Sequence, residues 1–147
     1  MIKKIKRYDS HLGITGWIGG GRWGLERYLY SLHRITGLGI LLFFIIHIFE
    51  SSIRILGMES WDMVMGIMEN PIFKIGEALV IIGFVFHAIN GIRLILIELG
   101  FAVGKAEEPV YPYKSSINVQ RPLAVIMLVI CILLIAAGGY DLLVLGH

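Results

Sequence analysis

Two histidines stand deep inside apolar stretches of this chain. His47 falls in Ile35–Phe49, 15 uncharged residues bounded by Arg34 and Glu50, and His87 in Ala78–Ile92, 15 bounded by Glu77 and Arg93. An ionisable side chain is costly in so apolar a run, which makes a functional site the default reading. Neutral imidazole is the commonest metal ligand, and haem iron is often held by one. The competing use is structural: a neutral imidazole donating to a backbone carbonyl or bridging two helices. Two such histidines in 147 residues favour ligation.

The neighbours of His87 sharpen this. Gly83 and Gly91 lie one turn before and one turn after it, and Gly76 and Asn90 extend the stripe in seven-residue steps from Gly83. Small residues are what a ligand helix needs where the edge of a flat macrocycle passes. They also suit close helix packing, so the stripe serves both readings. His33 precedes His47 by 14 residues, about 3.9 helical turns, so both face nearly the same way ~21 Å apart. His33 and Arg34, with Ser31 and Thr36 close by, form a polar cluster suited to a quinone headgroup or a haem propionate. Snorkelling to lipid phosphates would explain Arg34 alone but not His33. His87 lies ~9 Å from the level of Arg93, and His47 ~20 Å from the level of Arg34. The two histidines therefore predict two ligand sites at two depths, each with its opposite ligand from a partner chain.

These residues need membrane-spanning helices to position them. The composition is 56% hydrophobic and 16% charged, with a mean hydropathy of +0.78, which argues against a disordered chain or an ordinary soluble domain. A net charge of +2 gives no sign of nucleic-acid binding, and one cysteine forms no intrachain disulfide or cysteine-based metal site. The sequence predicts an all-α integral membrane protein with three spans, at roughly 29–54, 72–98 and 121–143. Pro122 is expected in the first turn of the third span. Residues 1–28 are read as an N-terminal interfacial segment, not a cleaved signal, and 29–147 as the membrane domain. Trp17, Trp23 and Tyr28 suit the headgroup layer. Residues 1–34 carry seven Lys and Arg and the second loop region four, against two in the first loop and none after Arg121. This bias predicts a cytoplasmic N-terminus. Cys131 reads as an inert packing thiol, Asp141 as an interfacial carboxylate, and Met58, Met63, Met65 and Met68 as outer-loop residues without a ligand role.

Ser31, Leu32, His33, Arg34, Ile35, Thr36 and Gly37 resemble the S-x-x-H-R-x-[ST]-G motif of the large cytochrome b anchor subunit of succinate dehydrogenase (succinate:quinone oxidoreductase). His87, Gly91, Ile92 and Arg93, followed by Glu98 and Gly100, are similar to that family's H-x-x-x-G-I-R-H-x-x-x-D-x-G. The resemblance implies that His87 is a haem b ligand, that His33 and Arg93 lie near the propionates, and that Arg34 serves the quinone. The family's serine, three residues before the histidine, falls on Tyr30 here, with Ser31 one place later. Leu94 stands for the motif's second histidine. His47 is absent from one-haem relatives and resembles the second iron ligand of two-haem ones. The implied cofactors are two haems b shared with a partner, with quinone as substrate. The implied partners are a flavoprotein subunit, an iron–sulfur subunit and a second small membrane anchor, in the cell's cytoplasmic membrane. The chain would be the subunit of the enzyme that does not itself oxidise succinate.

Two other readings fit the same residues. One is the anchor of a fumarate reductase, since nothing in the chain sets the direction of turnover. The other is a haem-free anchor whose histidines relay protons or pack helices. A transporter is disfavoured, with no inverted repeat and no broken helix pair.

Overall fold

The computed structural model describes residues 13–18, 24–105, 108, 110–112 and 115–141, and every regular element among them is helical. Helix α1 is the short Gly13–Ile18. Helix α2 runs Leu25–Ser52 and continues directly into a 3-10 turn, Ile53–Leu56. Helix α3 covers Met58–Met68, α4 Pro71–Glu98 and α5 Ile117–Tyr140. Three segments are long and apolar enough to cross a membrane: Leu25–Leu56, Pro71–Glu98 and Ile117–Tyr140, with mean hydropathies of 1.9, 2.1 and 2.7. At 1.5 Å per residue they reach ~48, ~42 and ~36 Å, more than the ~30 Å hydrocarbon core.

The three-span, all-helical architecture is the expected one, with boundaries moved by local chemistry. The first span begins a turn earlier than residue 29, and Glu26 in that added turn is gripped from α5: Arg121 Nε donates to Oε1 at 2.9 Å and Nη2 to Oε2 at 3.3 Å. The third span begins at Ile117, not 121. Ser115 Oγ accepts from Ile117 N at 3.1 Å, and the carbonyls of Ser115 and Ser116 take the next three amides. Pro122 therefore lies inside the helix and not in its first turn. Its missing N–H costs the ladder one bond, a loss confined to the outermost turns. Residues 1–12 and 19–23 of the expected interfacial segment, Trp23 among them, lie outside the described residues, and Tyr28 is exposed on α2.

The first connection, read as loop, contains α3. Gly57, at φ 107°, turns the chain from the 3-10 end into α3, a backbone conformation that side chains disfavour. The Arg54 guanidinium closes this corner over the Trp61 ring, 4.7 Å from its centroid. Glu69 and Asn70 then lead into α4, where Asn70 Oδ1 accepts from Ile72 N at 3.0 Å and Pro71 takes the first helical position. The described parts of the second connection, residues 101–105, 108 and 110–112, are irregular as expected.

α4 packs between α2 and α5. What it buries is unlike a soluble core. Among the described residues, those buried are Leu29, Ala124 and Cys131, together with the polar Ser31, Asn90 and Arg93. Large apolar side chains such as Leu38, Leu42, Phe84 and Leu133 face outward. In lipid there is no hydrophobic gain from burying them, so small and polar residues make the helix contacts.

Asn70→Ala removes the N-cap of α4 and should destabilise the protein by about 1 kcal/mol. The expected readout is a thermal midpoint in detergent lowered by a few degrees, with helix content unchanged.

Candidate functional site

The site forms where α2 and α4 touch. His87 lies flat on His33, with ring centroids 4.0 Å apart and planes 6° from parallel. His87 Nδ1 is 3.0 Å from the carbonyl oxygen of His33 and 3.3 Å from Thr36 Oγ1. A carbonyl only accepts, so Nδ1 carries the proton. Thr36 Oγ1 donates back to its own helix, 2.8 Å from the Leu32 carbonyl and 3.1 Å from that of His33, and is thereby an acceptor toward His87. The neutral ring keeps its lone pair on Nε2, which makes no hydrogen bond to any described residue. Metal-binding histidines use this pattern: one ring N–H on a backbone carbonyl, which orients the ring, and the other nitrogen open.

Glycine makes the approach possible. A Cβ at Gly37 would lie 2.8 Å from His87 Cε1 and 3.3 Å from Nδ1, closer than side-chain carbons approach. The Gly83 and Gly91 stripe also faces α2, with a Cβ at 83 meeting Thr36 at 3.6 Å and one at 91 meeting His33 Cε1 at 3.6 Å. These two glycines thus serve helix packing here, while Gly76 faces open space.

One turn along α4, Arg93 Nε donates to Asn90 Oδ1 at 3.0 Å, and both residues are only 5% exposed. The three-residue spacing of this pair was visible in the sequence, but its burial was not. His33 Nδ1 and Asn90 Nδ2 are buried without a hydrogen-bond partner among the described residues. Buried polar atoms are rarely left so, and the cost is about 1–3 kcal/mol each. They mark this layer as one built to receive a further polar group.

The remaining candidates lie apart. Arg34 Nη1 donates to the Tyr30 hydroxyl at 2.7 Å on the exposed face of α2, while Ser31 is buried, 2% exposed. His47 sits 14 residues beyond His33, ~21 Å along the helix, and is not brought near His87. Its Nδ1 is 3.4 Å from Glu50 Oε2, its Nε2 is 3.5 Å from Ser51 Oγ, and its ring stacks on Phe43. The Glu26–Arg121 pair, 95 residues apart, had no signal in the sequence.

Among the described residues, no group of three or more His, Cys, Asp or Glu could hold a bare metal ion. A porphyrin brings four nitrogens of its own, so a single open imidazole is a sufficient protein contribution from this chain. His87 Nε2 and His33 Nδ1, which has no hydrogen-bond partner among the described residues, are consistent with that group.

The family model described as succinate dehydrogenase/fumarate reductase transmembrane subunit matches residues 17–137. The chain is also similar to a protein of Mycobacterium tuberculosis named succinate dehydrogenase 2 membrane subunit SdhC, 32% identical over 66 residues. That alignment covers 45% of this chain and 48% of the relative, so the chain spans about half the length of the curated relative it matches. No solved structure matches significantly.

Gly37→Ala forces its methyl into the His87 ring and should destabilise the protein by about 1–3 kcal/mol. Gly39, two residues on, faces open space, and Gly39→Ala should stay within about 0.5 kcal/mol of wild type. Equal losses in a thermal melt of the two variants would contradict the close α2–α4 approach.

Proposed function

Because this chain belongs to the succinate dehydrogenase/fumarate reductase transmembrane subunit family, we propose that it is the haem b- and quinone-binding anchor of a succinate:quinone oxidoreductase. The observation that carries this reading is the His87 ring, whose Nδ1 is committed to the His33 carbonyl and whose Nε2 is open. His87 would ligate one haem iron, and His33 and Arg93 would hold its propionate side. His47, at the far level of α2, would ligate a second haem. A second small membrane subunit would supply the opposing ligands. Bound there, haem b would supply a one-electron iron couple in a low-dielectric setting.

The chain's own residues do the rest. His33 and Thr36 hold the His87 ring in one tautomer and one orientation. The buried guanidinium of Arg93, braced by Asn90, offers positive charge to carboxylates. Arg34 would hold a quinone carbonyl, where its charge stabilises the negative charge that develops on oxygen as electrons arrive. Tyr30 and Ser31 are the two hydroxyls next to it. Succinate oxidation would belong to the flavoprotein and iron–sulfur subunits, docked at the cytoplasmic end of the bundle that carries Glu26, Arg93 and Arg121. The Lys and Arg bias of the loops supports that orientation, and the name of the mycobacterial relative supports the succinate-oxidising direction.

The test is a dithionite-reduced minus oxidised spectrum of the purified membrane complex, with a pyridine haemochrome count. Two haems b per complex are expected, falling to one in His87→Ala. An unchanged count and spectrum in His87→Ala would remove the ligand assignment. A wild-type complex without a Soret band would leave only an anchor.

A further inference from the structure

Glu50 closes the apolar run Ile35–Phe49 of α2, three residues after His47. Its side chain is only 21% exposed, and a carboxyl is rarely covered so far without a partner. The partner here is His47, whose Nδ1 lies 3.4 Å from Glu50 Oε2. No other hydrogen bond or ion pair reaches the Glu50 side chain from the described residues. The pair is local. Residues three apart share a helix face, so it forms wherever α2 forms.

The remaining contacts of the ring leave one nitrogen for use. Phe43, one turn earlier, stacks on it with centroids 5.3 Å apart and planes 15° from parallel. Ser51 Oγ is 3.5 Å from Nε2, the outer limit of a hydrogen bond, and is cheaply given up. A carboxylate oxygen only accepts, so the proton belongs on Nδ1 and the lone pair on Nε2. The Nδ1 contact is ~0.5 Å longer than a usual N–H···O bond, and a small turn of the ring closes it. Metal-bound histidines pair their second nitrogen in this way, which fixes the ring and raises its basicity. His87 has the neutral carbonyl of His33 in that place, whereas His47 has a carboxylate.

We propose that Glu50 is a positioning residue for His47: it holds Nδ1–H, presents Nε2, and makes this imidazole the more basic of the two. The proposal rests on the haem reading of His47 given above and adds the residue that orients the ring there. A more basic ligand favours ferric iron, so Glu50 lowers the reduction potential at the His47 level. Glu50 carries no electron and exchanges no proton in this role.

The experiment is a potentiometric titration of the purified membrane complex, followed in the haem b absorbance, with a pyridine haemochrome count. His47→Ala identifies the component that belongs to this site by its loss. Glu50→Gln keeps the size and an acceptor oxygen at the position and removes the charge. It should keep both haems and move the His47 component alone, by about tenfold in the redox equilibrium, which is about 59 mV upward for one electron. Glu50→Ala removes the acceptor as well and should weaken haem retention at this level by roughly 10- to 100-fold. If the His47 component of Glu50→Gln stays within about twofold of wild type, the proposal is overturned. Equal movement of both components also overturns it, because the charge then acts at large and not through the His47 ring. A wild-type complex with one haem, or His47→Ala with both retained, overturns the haem reading of His47 and this proposal with it. Two haems, one of them lost in His47→Ala, with no effect of Glu50→Gln, overturn the role of Glu50 alone.

Discussion

The hydrogen bond from His87 Nδ1 to the carbonyl of His33 joins two helices that lipid gives little reason to hold together. Apolar side chains gain nothing by turning inward when the solvent is itself hydrocarbon, so specific contacts must set how α2 and α4 meet. This bond needs the imidazole to reach the backbone of the facing helix, and it can do so only because Gly37 has no side chain. The stacked His33 ring, the Thr36 hydroxyl and the packing of Gly83 and Gly91 follow from the same approach. One contact thus sets the helix spacing, the tautomer of His87 and the exposure of Nε2.

Around this contact the bundle is arranged inside out. Half of the buried residues among those described are polar, and the apolar mass faces outward. The buried Asn90–Arg93 pair and the unpartnered nitrogens of His33 and Asn90 form a polar layer beside the histidines. A layer of this kind is expensive unless another group completes it. The two-pronged grip of Arg121 on Glu26 ties α5 to α2 at the same end of the bundle. α4, with a neighbour on each side, carries both the ligand candidate and the buried arginine.

The two sides of α2 have different uses. Its inner side, with His33 and Gly37, packs on α4. Its outer side carries the Arg27, Tyr30 and Arg34 ladder, while His47, nearly in line with His33, is half-exposed farther along the helix.

Much of this was legible in the sequence, because it depends on counting along the chain. Runs of apolar residues long enough to span lipid must be helical, since only a helix or a closed barrel satisfies its backbone there. His87 stood out inside an apolar run and His33, Arg34 and Arg93 at the ends of such runs, and their spacing carried the family resemblance. Helix α3 was hidden by its shortness, and the start of α5 by Pro122, which suggested a first turn. What the tertiary structure alone decided concerns rotation about helix axes and partners distant in the chain. Tyr30 and Ser31 are neighbours in sequence, yet in the folded chain one is exposed and the other buried. The reach of His87 to the His33 carbonyl, 54 residues away, and of Arg121 to Glu26, 95 away, exists only once the helices are side by side. Local pattern sets which residues share a helix face, and only the neighbouring helix sets which face is inside.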